Sequence, residues 1–187
     1  MILNKMPNAP WQQKIVILKL IKSMFKTDER ISILDVGCGI GSTGCILRTG
    51  LANLNLELTG VELFKPYFQY MKKYGIDRIY DLVFHIEAES YLTSRPDNMY
   101  SIVLLIDILE HLTSKSAINV YRNAQRLASK AVIATIPFTS SKRGGDGQNK
   151  YMAHLEAYPN EASVISTFPG LKLVRKVQSN GVFLWQP

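Results

Sequence analysis

Apolar residues form short runs along the chain, and segments with helical spacing separate these runs. Ile31 to Val36 is an apolar, β-branched run, which predicts a strand that is covered on both faces. The further strands are predicted near residues 56–62, 82–88, 101–112, 131–137, 171–177 and 181–185. The helices between them are predicted near residues 42–51, 66–74, 114–129 and 160–168. Strands that alternate with helices in this way predict an α/β fold with a mostly parallel sheet.

The first helix predicted by the pattern lies within residues 1–30. From Pro10 to Phe25, apolar residues recur at helical spacing, and most lysines lie on the other side. We expect this leading amphipathic helix to pack on the sheet. A basic helix of this kind could also serve at a membrane surface or as a lid over a substrate.

Three alternating glycines follow the first predicted strand, in Asp35-Val36-Gly37-Cys38-Gly39-Ile40-Gly41. Glycine allows a ligand to lie directly against the main chain. Residues 39–44 also match the dinucleotide pattern G-x-G-x-x-G, which alone is a weak signal. Asp35 would repel the phosphates of a dinucleotide but suits a ligand that carries an ammonium group. The pattern therefore predicts a cofactor site.

These residues resemble motif I of the class I S-adenosylmethionine (SAM) methyltransferases, D-x-G-x-G-x-G, and the resemblance extends over roughly residues 31–160. Glu62 ends the second predicted strand, where nucleotide folds place an acid against ribose hydroxyls. Residues 82–88 look like the segment that contacts adenine, and residues 107–112 are similar to the family's D-x-L-E-H-L. The resemblance implies a single Rossmann-like domain over residues 1–187. Its seven-stranded sheet would have the order 3-2-1-4-5-7-6, an antiparallel last strand, and helices on both faces.

The resemblance also implies SAM as the cofactor and S-adenosylhomocysteine (SAH) as its product. Glu87 stands where the family usually has Asp, and Ile86 where it usually has Gly. The residues that it implies as cofactor contacts are Asp35, Gly37, Cys38, Gly39, Gly41, Glu62, Leu63, Glu87, Ala88 and Asp107.

Composition narrows the class of protein without choosing a substrate. A chain of 187 residues that is 47% hydrophobic is typical of one globular domain. Two cysteines cannot form a four-cysteine zinc site, and they fit a reduced, cytoplasmic setting. No segment has the length of apolar sequence that spans a membrane. The net charge of +7 could attract a nucleic acid, an anionic glycan or a phosphorylated substrate.

Two histidines are candidates for the base that methyl transfer to a hydroxyl requires. They are His111, after the fourth predicted strand, and His154, which we prefer. His154 belongs to residues 138–157, a polar and glycine-rich segment that we expect to be a mobile substrate-side loop. We assign no metal ligands, although Glu110 and His111 could share a hard cation that orients a diol, with His154 as a third ligand.

The sequence is compatible with three hypotheses for the acceptor and the function. The segments Glu62 to Tyr67, Ile79 to Val83 and Asn149 to His154 look like a subgroup of small microbial and viral methyltransferases. That likeness suggests an oxygen of a saccharide or another polar small molecule. A nucleic-acid methyltransferase is the alternative favoured by Lys142, Arg143 and the net charge. A non-catalytic subunit with the same fold is a third hypothesis.

Overall fold

The computed structural model describes residues 10–145 and 149–187, in which seven strands form one sheet. The strands are β1 (Arg30–Val36), β2 (Asn55–Glu62), β3 (Leu82–His85), β4 (Tyr100–Ile106), β5 (Ala128–Pro137), β6 (Lys172–Val177) and β7 (Asn180–Trp185). The α-helices are α1 (Pro10–Met24), α2 (Ser42–Gly50), α3 (Lys65–Tyr74), α4 (Ala88–Thr93), α5 (Ser114–Leu127) and α6 (Glu161–Thr167). Residues 1–9 of the leading segment and 146–148 of the substrate-side loop lie outside the described residues.

The sheet has the order β3-β2-β1-β4-β5-β7-β6, which confirms the predicted topology. The first five strands pair in parallel, and β7 runs antiparallel between β5 and β6. The order reverses direction on either side of β1, between β2 and β4. Such a reversal opens a crevice at the carboxyl ends of the strands, and ligands bind there in open α/β sheets.

Helices cover both faces of the sheet, as predicted. On one face, α4, α5 and α6 bury a cluster that includes Tyr91, Val120 and Val164. On the other, α1, α2 and α3 pack through residues such as Ile17 and Met71. The near-complete burial of the central strands explains why their sequences are almost continuously apolar.

Elements differ from the prediction at three places. The strand predicted near residues 101–112 is one of them, because β4 ends at Ile106 and residues 109–111 form a 3₁₀ helix. The helix predicted to reach Ser129 ends at Leu127, because Ala128 already pairs with Tyr100 at the start of β5. The six-residue helix α4 was not predicted at all. A helix of this length has too few apolar positions to establish a 3.6-residue period, so pattern alone does not distinguish it from a turn.

None of the helices formed by the described residues combines the length and the apolar character needed to cross a lipid bilayer.

Candidate active site

A cavity of about 290 Å³ lies at the carboxyl ends of β1, β2 and β4. Most of the predicted site residues line it, namely Gly37, Gly39, Glu62, Leu63, Glu87, Ala88, Asp107 and His111. The predicted residues that do not line it are Asp35, Cys38, Gly41 and His154. The fold therefore brings residues from four separate segments of the sequence to one surface.

The glycine turn between β1 and α2 forms the floor of this cavity. Gly37, Gly39 and Gly41 all have positive φ, between 59° and 88°, a conformation that other residues adopt only with strain. The Gly37 N–H donates to the Val61 carbonyl at 2.8 Å, which ties the turn to β2. A Cβ added to Gly39 would meet no atom within 4 Å. The main chain at Gly39 is therefore open to a ligand.

Glu62 is fixed beside this opening at the end of β2. Its Oε2 accepts from the Gly39 N–H at 2.8 Å, and its Oε1 accepts from the Phe64 N–H at 2.6 Å. Burial raises the pKa of Glu62, and these two backbone hydrogen bonds oppose that rise. Each carboxylate oxygen keeps a further lone pair. The side chain is therefore an oriented acceptor that can take hydroxyl hydrogens.

The end of β3 supplies the neighbouring wall through Ile86, Glu87 and Ala88. The Ile86 N–H donates to the Glu62 carbonyl at 3.2 Å, so this segment continues the register of β2. Glu87 precedes α4, and its Oε2 accepts from the Ser90 hydroxyl at 3.1 Å. Both positions that depart from the family pattern therefore face the cavity.

Asp107 follows β4 in the left-handed region, with φ of 50°. Thr135 of β5 holds it there, because the Thr135 hydroxyl donates to Asp107 Oδ1 at 2.6 Å and accepts from the Asp107 N–H at 3.0 Å. Burial raises the pKa of this carboxyl, and the Thr135 bond opposes the rise. Strain that is kept in place by a specific partner is common at functional sites.

Asp35 lies beneath the turn and not in the cavity. Side chains alternate along a strand, so Asp35 points to the opposite face of the sheet from Val36. It is only 1% exposed, and it accepts from the Tyr80 hydroxyl at 2.8 Å. Burial raises the pKa of Asp35 to about 6, against the opposing effects of Tyr80 and of Lys14 from α1. In this structure Asp35 supports the turn, and Asp107 is the aspartate that lines the cavity.

Cys38 and Gly41 also support the turn. Cys38 is buried, and its N–H donates to the Val61 carbonyl at 3.0 Å. A Cβ on Gly41 would lie 2.8 Å from the Ile76 side chain, so this glycine is required by packing.

The two histidines meet at the far side of the cavity, with ring centroids 4.9 Å apart. His111 lines the cavity, and its Nδ1 donates to the Ala153 carbonyl at 3.0 Å, so its Nε2 carries the lone pair. His154 lines a separate surface depression, and its Nε2 accepts from Arg143 Nη2 at 3.1 Å. Burial lowers the pKa of both rings. His111, rather than the preferred His154, is the histidine that lines the main cavity.

Glu110 is buried beside this histidine pair. One potential ligand atom from each of Glu110, His111 and His154 lies within 4.8 Å of the other two. Burial, together with the charge of Asp107, raises the pKa of Glu110 to about 8. Among the described residues, these three side chains are the group whose donor atoms could hold a metal ion.

Asn149, Tyr151 and Met152 of the substrate-side loop also line the cavity. The sequence analysis does not assign them to the site. The Asn149 side chain accepts from the Tyr151 N–H at 2.9 Å, at the start of a 3₁₀ helix over Lys150–Met152. Tyr151 packs against Phe64, with ring centroids 6.3 Å apart. The sequence pattern singles out segment 149–154, but only the folded chain shows that it contacts the end of β2.

Comparison with known proteins identifies the fold. No protein-family model and no curated protein matches the sequence. A SAM-dependent methyltransferase from Archaeoglobus fulgidus superimposes with a TM-score of 0.61 and 14% identity over 94% of both chains. The fold is that of the class I methyltransferases.

Two further methyltransferase structures have the same architecture. Magnesium protoporphyrin IX methyltransferase from Synechocystis, with bound SAH, gives a TM-score of 0.64 and 12% identity over 92% of this chain and 80% of its own. A proposed O-methyltransferase from Nostoc punctiforme gives 0.66 and 17% identity over 94% of this chain. This chain spans 56% of the Nostoc protein. At such identities the likeness shows the fold alone.

Proposed function

We propose that this protein is a SAM-dependent methyltransferase that transfers a methyl group to an oxygen of a polar small molecule, such as a saccharide. The observation that carries the proposal is the fixed Glu62 carboxylate beside the open main chain of Gly39. A carboxylate at this point of a nucleotide-binding fold accepts the hydroxyls of a ribose. The proposal places one methyltransferase domain over residues 1–187, in the cytoplasm.

The residues around the cavity fit SAM. Glu62 would accept the ribose hydroxyls, and Glu87, at the adjacent strand end, would accept the adenine amine. Asp107 would face the cationic amino-acid end, because it is the carboxylate at the end of β4. Gly37 and Gly39 leave room for the ligand at the main chain. These assignments make Asp107 the partner of the ammonium group, whereas the sequence pattern alone suggests Asp35.

When bound, SAM supplies a methyl group that its sulfonium makes electrophilic. The protein has to orient an acceptor oxygen in line with that methyl and to remove the hydroxyl proton. His111 Nε2 can take the proton, because Nδ1 already donates to Ala153 and the lone pair is on Nε2. The hydroxyl proton would move to His111 Nε2 as the oxygen gains the methyl and the S–CH₃ bond breaks to leave SAH.

A small acceptor is favoured over nucleic acid by the partners of two basic residues. Lys142 Nζ lies 3.5 Å from Glu156, and Arg143 donates to His154. In the structure without ligands, both cations thus have a partner within the protein. The choice of a saccharide depends on the likeness of the segments near residues 62–67, 79–83 and 149–154 to the small-methyltransferase subgroup.

The test is calorimetric titration with SAM and SAH. We expect micromolar binding by the wild type and a loss of about tenfold or more in Glu62→Gln, because the amide cannot accept from both Gly39 and Phe64. Glu57→Gln is the matched control, since Glu57 lies on the same strand and pairs at the surface with Arg30. Circular dichroism establishes that both variants are folded.

If the wild type releases no heat and SAH causes no thermal shift, the enzyme hypothesis fails and a non-catalytic subunit becomes the better explanation. If binding is confirmed, transfer of labelled methyl to sugars and to oligonucleotides decides between the two acceptor classes. Salt-sensitive methylation of an oligonucleotide would contradict the small-molecule proposal.

A further inference from the structure

A cluster of Glu110, His111 and His154 lies at the edge of the cavity, and the main chain holds its parts together. Glu110 and His111 are consecutive in the 3₁₀ helix Leu109–His111 that follows β4. The Leu155 N–H donates to the Glu110 carbonyl at 2.8 Å, which joins the loop that carries His154 to this helix. The three potential ligand atoms are thus brought within 4.8 Å by backbone contacts and not by chance surface proximity.

Two atoms of the cluster lack the partners that buried polar atoms normally have. Glu110 is only 1% exposed, and its Oε2 has no hydrogen-bond partner. His154 is 7% exposed, and its Nδ1 has none either. Buried polar atoms without partners cost free energy, and each therefore calls for an explanation. A cation that binds Glu110 Oε2 and His154 Nδ1 would remove that cost, and one that binds His154 Nε2 would remove the part due to Glu110.

The donor atoms indicate which class of cation would bind. Two imidazole nitrogens and one carboxylate oxygen are the ligands that zinc and the other divalent first-row transition metals use in sites with open positions. Mg²⁺ and Ca²⁺ prefer shells made of oxygen alone. His111 is already oriented for such a role, since its Nδ1 donates to the Ala153 carbonyl and this bond fixes the ring.

We propose that Glu110, His111 and His154 form a binding site for a divalent first-row transition-metal ion such as Mn²⁺, Co²⁺ or Zn²⁺. Because His111 lines the main cavity, the open positions of the ion face the space for the acceptor. Two adjacent hydroxyls of one acceptor can occupy these positions together. The ion then lowers the pKa of a bound hydroxyl, and its proton leaves to water, so that His111 acts as a ligand instead of a base. This role of the ion, though not its binding, depends on the proposed function.

Arg143 competes with the ion for His154. A guanidinium only donates, so the nitrogen that Arg143 contacts at 3.1 Å, His154 Nε2, must carry the lone pair. An ion that takes Nε2 displaces Arg143 directly. An ion that takes Nδ1 requires the proton to move to Nε2, which then cannot accept from Arg143. Metal binding and the Arg143–His154 hydrogen bond therefore exclude each other.

The experiment is titration of the metal-free protein with Mn²⁺ by calorimetry and with Co²⁺ by visible absorption, each without SAM. We expect one ion per chain, bound about tenfold or more weakly by Glu110→Gln and by His154→Gln. His85→Gln is the matched control, because His85 is the remaining histidine and lies outside the cluster. Arg143→Met should bind the ion more tightly than the wild type, since it removes both a competing donor and a repelling charge.

The proposal is overturned if neither the wild type nor Arg143→Met binds an ion, or if both ligand variants bind as the wild type does. Circular dichroism of each variant excludes loss of fold as the cause of weaker binding. SAH titration of the same samples separates this site from the proposed function. A protein that binds SAH but no ion refutes only the metal site, whereas one that binds the ion but no SAH refutes only the methyltransferase proposal.

Discussion

At the scale of single residues, Gly39 in the turn and Gly44 in α2 have different surroundings. A Cβ on Gly39 would project into open space, whereas one on Gly44 would overlap the ring of Tyr80. The first glycine leaves room for a ligand, and the second leaves room for the core. Sequence alone gives both the same letter in the same motif.

We expect Gly39→Ala to weaken SAH binding while costing only about 1–2 kcal/mol of stability, the usual cost of a positive φ in a residue with a Cβ. Gly44→Ala should reduce the free energy of unfolding by about 1–3 kcal/mol through overpacking against Tyr80. Urea denaturation measures the stability of both variants, and calorimetry measures SAH affinity. Wild-type affinity in Gly39→Ala would contradict the assignment of the open space to the cofactor.

The buried Asp35 makes stability depend on pH. The pKa of its carboxyl is about 6 in the folded protein, compared with 3.8 ordinarily, because burial outweighs Tyr80 and Lys14 while Glu62 adds to the rise. The folded state therefore holds this proton more tightly than the unfolded state. The contribution to stability is fully present below about pH 4 and is lost as the pH rises through about 6.

Asp35→Asn should consequently gain stability relative to the wild type as the pH rises from 4 to 8. The difference amounts to at most about 3 kcal/mol, and the attraction to Lys14 is already included in the pKa of about 6. The asparagine oxygen can still accept from Tyr80. Urea denaturation of both proteins at pH 4.5 and 7.5 gives the difference in unfolding free energy between variant and wild type at each pH. The change of this difference with pH reports on Asp35, because the contributions of the other carboxyl groups cancel. An equal effect at both values would show that Asp35 has an ordinary pKa.

At the scale of elements, Arg48 joins α2 to the connection between β2 and β3. Its guanidinium donates to the carbonyls of Ile79 and Leu56 and to Asp81 Oδ2, each at 2.8 Å. Asp81 in turn accepts from the Leu58 N–H at 2.7 Å. These bonds fix the segment that carries Tyr80, the partner of Asp35. The helix that begins at the glycine turn is therefore anchored at both ends.

Arg48→Met should lower the free energy of unfolding by about 2 kcal/mol, because it leaves carbonyl groups without a donor. Arg30→Met provides the comparison, since Arg30 is 74% exposed and its pairing with Glu57 should contribute less than about 1 kcal/mol. Chemical denaturation of the two variants measures how much unfolding free energy each has lost. Similar losses in both would show that the bonds of Arg48 behave as an ordinary surface ion pair.

The sequence predicts the strands and longer helices because each has a hydrophobic period of its own. Tyr80 and Asp81 belong to a recognisable sequence pattern. Their hydrogen-bond partners, however, lie on β1 and α2, and a local pattern contains no information on such contacts. The short helix α4 is not predicted, because six residues are too few to show a helical period. Strand order followed from the resemblance, not from periodicity.

At the scale of the whole molecule, the site forms where the carboxyl ends of parallel strands lie side by side. Glu62, Glu87 and Asp107 could be predicted because each comes at or just after a strand, and parallel strands end at one edge. Asp35 shows the limit of this reasoning, since it precedes the strand end and alternation turns it to the other face. The contact of His154 with Glu110 and His111 depends on how a long loop closes, which no local pattern specifies.

At Asp107, a substitution that stabilises the fold is expected to remove the proposed contact with the cofactor. Its left-handed backbone and its partly buried carboxyl both raise the energy of the native state, and the bonds to Thr135 only partly offset them. Glycine at this position would relieve both costs. A screen that rewards heat resistance alone would therefore enrich changes at Asp107, and the survivors would be proteins that keep the fold and lose the carboxylate that we propose as the partner of the cofactor's ammonium group.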